Sequence, residues 1–394
     1  IFYSRRSERL TRRTVERLYG KGPDNAVTLS ASRIESFARC PFSFFVKYGL
    51  KPAENRDFDV DSRSIGDIFH YCFMRTVKEL SANGMPGEAP DDSLWLKVSE
   101  EDVRGAVGMY IDEYAETYRE GVFGYSGYGL YMKERLKEVI FTNVWIMVMQ
   151  VRRGAVRGIY FEKEFRRGMR HAFPPVVLTL ENGRSVCLEG KIDRIDIIDA
   201  EDDAAHNYVR IVDYKTGGDK FSLSQVEDGV MLQLMIYLKG AMGGIKNARP
   251  AGVFYFPAHE HMVDITDKPD ITADELDNAF MKESGLDGII NGSHGVIKGM
   301  DSSLDVGEDS LVVPVKRGRD KDGRETYGAS RSGRGRVITS EDFDRLIDEI
   351  DGILNHAASE ITDGSVDADP KVSGNFDACR FCGYKSICGI GITG

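Results

Sequence analysis

Between Val176 and Phe256 the chain spells out extended and helical segments in an order that few folds accept. Val176–Leu180 is apolar, Glu181-Asn182-Gly183-Arg184 is a hairpin turn signal, and Ser185–Ile198 resumes as a strand. Tyr208–Lys215 reads as a third strand, closed by Gly217-Gly218. Leu223–Met242 has helical periodicity, and Gly252–Phe256 is the short apolar run of a buried strand. The order β-β-β-α-β predicts an α/β fold, a mixed sheet flanked by helices, over about 160–260.

The sequence around this core is helical. Residues 1–22 read as one basic helix, and 1–27 as a linker from a region further upstream, since the chain opens on Ile1 rather than Met. Ser32-Arg-Ile-Glu35 has the form of a capping box. The helix it starts runs to Cys40-Pro41, where proline ends it. A second short helix, Phe42 to Tyr48, is expected to stop at Gly49. Further helices over about 64–82, 93–120 and 128–153 make the stretch 28–160 mostly helical. Residues 299–337 are rich in Gly, Ser, Asp and Arg and read as a long mobile basic loop. A helix over about 340–361 leads into a cysteine-rich tail that ends at 394.

The formal charge of −11 argues against a nucleic-acid partner only if it is evenly spread, and it is not. Arg5, Arg6, Arg9, Arg12, Arg13, Arg17 and Lys21 face only Glu8 and Glu16 in the first segment. A second basic stretch, Lys316 to Arg336, holds Arg331, Arg334 and Arg336 among others. A DNA-binding channel needs a local basic surface, not a basic total. No window is apolar enough to span a membrane, and no signal peptide is legible, so the expected compartment is the cytoplasm.

Two predicted strands carry the candidate chemistry. The first holds Gly190-Lys-Ile-Asp193-Arg-Ile-Asp196 and the second Val212-Asp213-Tyr-Lys215-Thr-Gly217. Alternation along a strand puts Asp213 and Lys215 on one face. If the strands are neighbours, Asp193 lies beside Asp213, and two converging carboxylates invite a hard divalent cation, Mg²⁺ or Mn²⁺. Such a cation polarises a phosphodiester oxygen and lowers the pKa of a bound water. Lys215 would orient that water or neutralise charge in the transition state. Gln233 and Tyr237, at i and i+4, share a face of the following helix, and His70 lies on a helix upstream.

Three of the six cysteines, in Cys379-Arg-Phe-Cys382-Gly-Tyr-Lys-Ser-Ile-Cys388, crowd into one short run. Without a secretory signal this spacing reads as metal ligation before disulfides. Three thiolates are one short of a tetrahedral site or a cubane, and Cys40, before Pro41, is the best fourth. Cys72 and Cys187 read as buried small hydrophobes. On ligand type alone zinc and an iron–sulfur cluster stand equal.

The ordered set G-x-x-x-H, G-x-x-D-R-x-D, D-Y-K-T-G and Q-x-x-x-Y resembles the RecB-like branch of the PD-(D/E)xK nucleases. The resemblance implies a restriction-endonuclease-like core with a large helical insertion. Position by position, it implies metal or catalytic roles for His70, Asp193, Asp213 and Lys215. It adds the Tyr214 carbonyl as a further ligand, and Gln233 and Tyr237 as site-supporting or DNA-contacting. Cys40 in its C-P-F context with the C-x2-C-x5-C tail resembles the 4Fe–4S staple of AddB-type nuclease subunits, joining N- and C-terminal segments. Leu29–Phe42 and Pro250–Phe256 sharpen that likeness. It implies a domain of a double-strand-break resection complex that hydrolyses single-stranded DNA, on the 5′-terminated strand, and pairs with an AddA-like helicase-nuclease subunit. The chain has no phosphate-loop motif, so ATP dependence would come from that partner. A non-catalytic DNA-binding scaffold and a stand-alone RecB-like exonuclease are the alternatives. Pro257-Ala-His259-Glu-His261 departs from the family pattern, and both histidines read as loop residues.

Overall fold

The computed structural model describes residues 9–20, 26–52, 62–80, 95–117, 127–218, 220–264, 266, 270–374 and 376–390. The first eight residues of the basic N-terminal segment, and Lys21, lie outside them. The core is a six-stranded mixed sheet of β2 (Val156–Phe165), β5 (Gly190–Ile198), β6 (Asn207–Lys215), β7 (Ala248–Pro257), β8 (Asp287–Asn291) and β11 (Arg336–Ile338). Its order is β11-β8-β7-β6-β5-β2, with β6–β7 and β8–β11 parallel and the other pairs antiparallel. A three-stranded sheet, β1 (Val27–Leu29), β4 (Ser185–Leu188) and β3 (Val176–Thr179), stands beside it.

Strand alternation divides the core into two layers. Phe254 and Phe256 pack with Tyr214 against α4 (Ser62–Leu80), α5 (Glu100–Thr117) and α6 (Gly127–Arg152). Val253 and Tyr255, one step out of phase, pack against α2 (Ala31–Arg39), α8 (Gln233–Gly244) and α11 (Ser340–Thr362). The expected mixed sheet between helices is therefore present, and β5 and β6 are neighbours as the site requires.

The structure corrects several sequence expectations. The strand expected over 185–198 is two: β4 belongs to the small sheet, Glu189 turns, and β5 enters the large one. At that corner a side chain on Gly190 would meet the Phe165 ring at 2.8 Å. β2 is absent from the sequence reading, because its central Glu162 sits at φ +47° and breaks the alternation that marks a strand. The helix expected over 223–242 is α7 (Leu223–Glu227) and α8, separated at Gly229, whose φ of +78° suits glycine. The short helix α3 (Pro41–Phe44) continues as a π-helical turn through Gly49 to Leu50, and Lys51 in the left-handed region ends it.

The basic stretch 299–337 is not an unstructured loop. It forms the hairpin β9 (Val315–Arg319) and β10 (Glu325–Ala329) and the edge strand β11, anchored by buried Val312, Val313 and Val315. Within the segment expected to be a linker, α1 (Arg12–Tyr19) packs on the core, with Val15 and Tyr19 buried and Tyr19 5.0 Å from Phe44. Among the described residues no helix is long and apolar enough to cross a membrane.

Candidate active site

The site lies at the ends of β5 and β6, between α4 and α8. Asp213 is almost fully buried. Its carboxylate takes Lys215 Nζ at 2.7 Å and Gln233 Nε2 at 3.0 Å. Lys215 also donates to Gln233 Oε1 at 2.9 Å, and Gln233 Nε2 reaches the Tyr237 hydroxyl at 3.0 Å. One amide thus ties the acid, the lysine and the tyrosine together. From the other side, α4 brings His70 Nε2 to 3.3 Å from the Tyr214 carbonyl and 3.7 Å from Asp193 Oδ2. Asp193 accepts from the Tyr214 backbone N–H at 3.3 Å. The structure gathers every sequence-predicted residue of this set at one place.

Burial, with the Asp213 charge added to it, pushes the Asp193 carboxyl up to about 7. Two carboxylates, an imidazole and a backbone carbonyl crowded there form a donor set that fits a hard divalent cation. Among the described residues no group of three or more His, Cys, Asp or Glu side chains, here or at the cysteines, is placed to hold a metal ion; at this site Lys215 and Gln233 bond Asp213.

Behind the site is a feature the sequence hinted at but did not explain. Asp196, fully buried, is clamped by Arg194 (Nε at 2.7 Å, Nη2 at 2.9 Å) and by Arg210 (Nε at 2.7 Å). Burial opposes its ionisation, but the two guanidiniums outweigh that and hold the carboxyl below its usual range. The triad fixes β5 to β6 just below Asp193 and Asp213. Arg210 gave no signal, since a single arginine in an apolar strand has no motif.

Glu35 is the residue that sequence reasoning placed wrongly. It closes no capping box: α2 starts at Ala31 after Ser30 and has no side-chain cap. Its Oε1 instead accepts the backbone N–H groups of Leu232 (2.7 Å) and Gln233 (2.8 Å), capping α8 across a long sequence gap. Burial pushes its carboxyl up, although those two bonds and Arg39 pull the other way. His261 is no free loop residue either. It is buried, meets Asn143 Oδ1 through Nε2 at 3.1 Å, and burial drives its pKa down to about 4.

The four cysteines of the expected cluster share one pocket. Cys40, Cys379, Cys382 and Cys388 line it together with apolar neighbours such as Phe42, Pro370 and Ile390. Burial raises the Cys40 and Cys379 thiols, and neighbouring cysteines add to the rise. Metal binding deprotonates its thiol ligands, and a thiolate-binding soft metal would relieve that rise at Cys40 and Cys379. Cys72 and Cys187 are buried elsewhere.

Residues 28–389 match the PD-(D/E)XK nuclease superfamily. The chain belongs to that superfamily. As a member of it, the chain is similar to ATP-dependent helicase/deoxyribonuclease subunits of the AddB type. The one from Alkaliphilus metalliredigens is 31% identical over 370 residues, covering 93% of this chain and 30% of the relative. That of Alkaliphilus oremlandii is 30% identical over 370 residues, with the same coverage of both chains. That of Clostridioides difficile is 29% identical over 394 residues, covering 98% of this chain and 32% of the relative. The chain therefore spans about a third of the length of these relatives.

Proposed function

We propose that the chain is the nuclease part of an AddB-type helicase/deoxyribonuclease protein, a metal-dependent enzyme that hydrolyses phosphodiesters of single-stranded DNA. The observation that carries this reading is the Asp193–Asp213–Lys215 constellation, held by Gln233 at the end of a mixed sheet in a PD-(D/E)XK chain. Asp193, Asp213, the Tyr214 carbonyl and His70 would hold Mg²⁺ or Mn²⁺, which when bound polarises the scissile phosphate and acidifies a water. Lys215, steered between Asp213 and Gln233, orients that water and offsets charge that develops on the phosphorus oxygens. Gln233 fixes the lysine's direction, and Tyr237 fixes the amide.

The family resemblance supports three finer points: the 5′-terminated strand as substrate, an AddA-like helicase-nuclease subunit as partner, and a 4Fe–4S cluster on Cys40, Cys379, Cys382 and Cys388. The visible spectrum of anaerobically purified protein separates an iron–sulfur cluster from zinc.

The test is cleavage of end-labelled single strands in Mg²⁺. Asp213→Ala and Lys215→Ala should each abolish cutting, EDTA should do the same to the wild type, and DNA affinity should stay within a few-fold. An Asp213→Ala protein that cuts at the wild-type rate overturns the assignment.

A further inference from the structure

The loop that leaves the catalytic sheet beside the active site is strongly basic. From Lys163 to His171 the chain reads K-E-F-R-R-G-M-R-H, in which Lys163, Arg166, Arg167 and Arg170 face only Glu164. Residues 166–171 are all exposed. The loop starts where β2 ends, and Phe165 there lies opposite Gly190 of β5. Gly190 is three residues before Asp193, about 10 Å along a strand. Phe165 is fully buried and meets the Tyr237 ring edge-on, with 6.1 Å between centroids. The base of the loop thus rests on the tyrosine whose hydroxyl bonds Gln233.

The loop is also fixed in shape. The Arg166 N–H donates to the Phe173 carbonyl at 3.0 Å, and the Phe173 N–H to the Glu164 carbonyl at 2.8 Å. Lys163 Nζ donates to the His171 carbonyl at 2.7 Å. Gly168 and His171 turn the chain with φ of +71° and +68°, and for His171 that left-handed backbone is uncommon. The three arginines are committed differently. Arg167 is a strut: its backbone N–H donates to Glu189 Oε1 at 3.1 Å, and its guanidinium bonds the Cys187 thiol. Arg166 lies 3.4 Å from Glu164, with its side chain 43% exposed. The Arg170 side chain makes no ion pair or hydrogen bond among the described residues.

Exposed cations gain little stability from one exposed carboxylate, and gathered on one loop they repel each other. A guanidinium suits a phosphate, which it meets with two parallel bonds. We propose that the loop Arg166–His171 is a phosphate-binding surface for the DNA strand held in the active site, with Arg166 and Arg170 on the phosphates and Arg167 as the strut. It takes the part of the strand that runs from Asp193 and Asp213 past the end of β2. A loop already fixed in shape does this with little ordering cost on binding. This rests on the nuclease reading above.

The experiment measures binding of a fluorescent single-stranded oligonucleotide in EDTA, where no strand is cut, across a salt series. Arg166→Gln and Arg170→Gln should each flatten the slope of log affinity against log salt by about 0.7, and the double variant by about 1.4, with the melting temperature held. Arg166→Lys and Arg170→Lys should keep the slope, which separates lost charge from lost shape. An unchanged slope in the double glutamine variant overturns the proposal and leaves the loop a solvated surface. A slope that falls as far in the lysine variants overturns it too, since charge would then not be what the DNA meets. Because binding is scored without turnover, a wild type that binds with the full slope but never cuts in Mg²⁺ counts against the nuclease reading alone.

Discussion

At the scale of single residues, the buried polar groups around the site serve geometry before chemistry. Glu35 satisfies two N–H groups at the start of α8, and the second belongs to Gln233, whose side chain steers Lys215. Glu35→Ala should therefore lose about 1–2 kcal/mol of stability, as for a lost helix cap. It should also lower kcat with DNA affinity unchanged. Glu35→Gln, whose carbonyl still accepts, should recover most of the rate, and equal rates for the two variants would refute the link. Asp196→Asn would leave two guanidiniums buried against a neutral amide, and we expect a loss of about 3–5 kcal/mol in urea melts. The sign of its pH dependence follows from its depressed carboxyl: that stability is present above about pH 4 and is lost as pH falls through the folded pKa. His261 acts in a different window. Its unfolded form takes a proton near pH 6.5, while the folded form resists until about 4. Stability from this group is therefore full at pH 7 and falls between about 6.5 and 4, by up to ~3 kcal/mol. His261→Gln should flatten that stretch of the pH–stability curve and leave the Asp196 limb below it intact.

At the scale of elements, the sequence was legible where hydrophobic period and local chemistry agree and silent where a distant contact decides. β6, β7 and the long helices carry their own alternation, which put Asp213 and Lys215 on one face and Gln233 and Tyr237 on another; only the family resemblance brought Asp193, Gln233 and Tyr237 to the same site. The break between α7 and α8 could not, because the residue that caps α8 sits on α2. β2 was hidden by Glu162, and the β4–β5 junction by a turn that merely moves the chain from one sheet to another. The cysteine pattern was legible as a cluster of ligand types, and the fold does bring Cys40 to the tail pocket. α2 hands over to Cys40, the Arg39 carbonyl accepts from Lys371, and Lys371 pairs with Asp228 after α7. The tail is thus latched to the segment that leads into α8. If a cluster fills the pocket, its binding free energy becomes folding free energy for this latch. Cys40→Ser should lower the melting temperature and the iron content together, whereas Cys72→Ser should keep the iron. A Cys40→Ser protein with full iron and unchanged melting would remove Cys40 from the site.

At the scale of the whole molecule, the net charge of −11 and the proposed DNA substrate are reconciled only by where the cations sit. The basic stretch at 316–336 reads from sequence as one mobile arm, because alternating Lys, Arg and Gly give no apolar period. In the fold it is a hairpin whose cations are unevenly committed. Arg317 donates to the Leu304 carbonyl and pairs with Glu325 at 2.5 Å, and Arg334 donates to the Glu283 carbonyl at 2.9 Å. These two brace the hairpin and its return strand against the sheet. Lys321 and Arg324, at the β9–β10 turn, are exposed instead. The Arg331 side chain is also exposed, 74%, with its guanidinium 3.7 Å from Asp309, whose carboxylate accepts the Arg331 backbone N–H at 3.2 Å. A rigid hairpin presents such charges in a fixed direction, which a disordered arm cannot do. Phosphates should accordingly be met by the outward cations and not by the structural ones. Replacing Lys321, Arg324 and Arg331 together by Gln should flatten the salt slope of single-strand binding by about 2, near 0.7 for each phosphate no longer neutralised, with the melting temperature held. Replacing Arg317 by Gln should instead lower the melting temperature, with the slope per molecule of folded protein unchanged. Salt titrations of both proteins beside their thermal melts decide the matter, and a slope that the triple replacement leaves unchanged would mean that the outward face of the hairpin turns away from DNA.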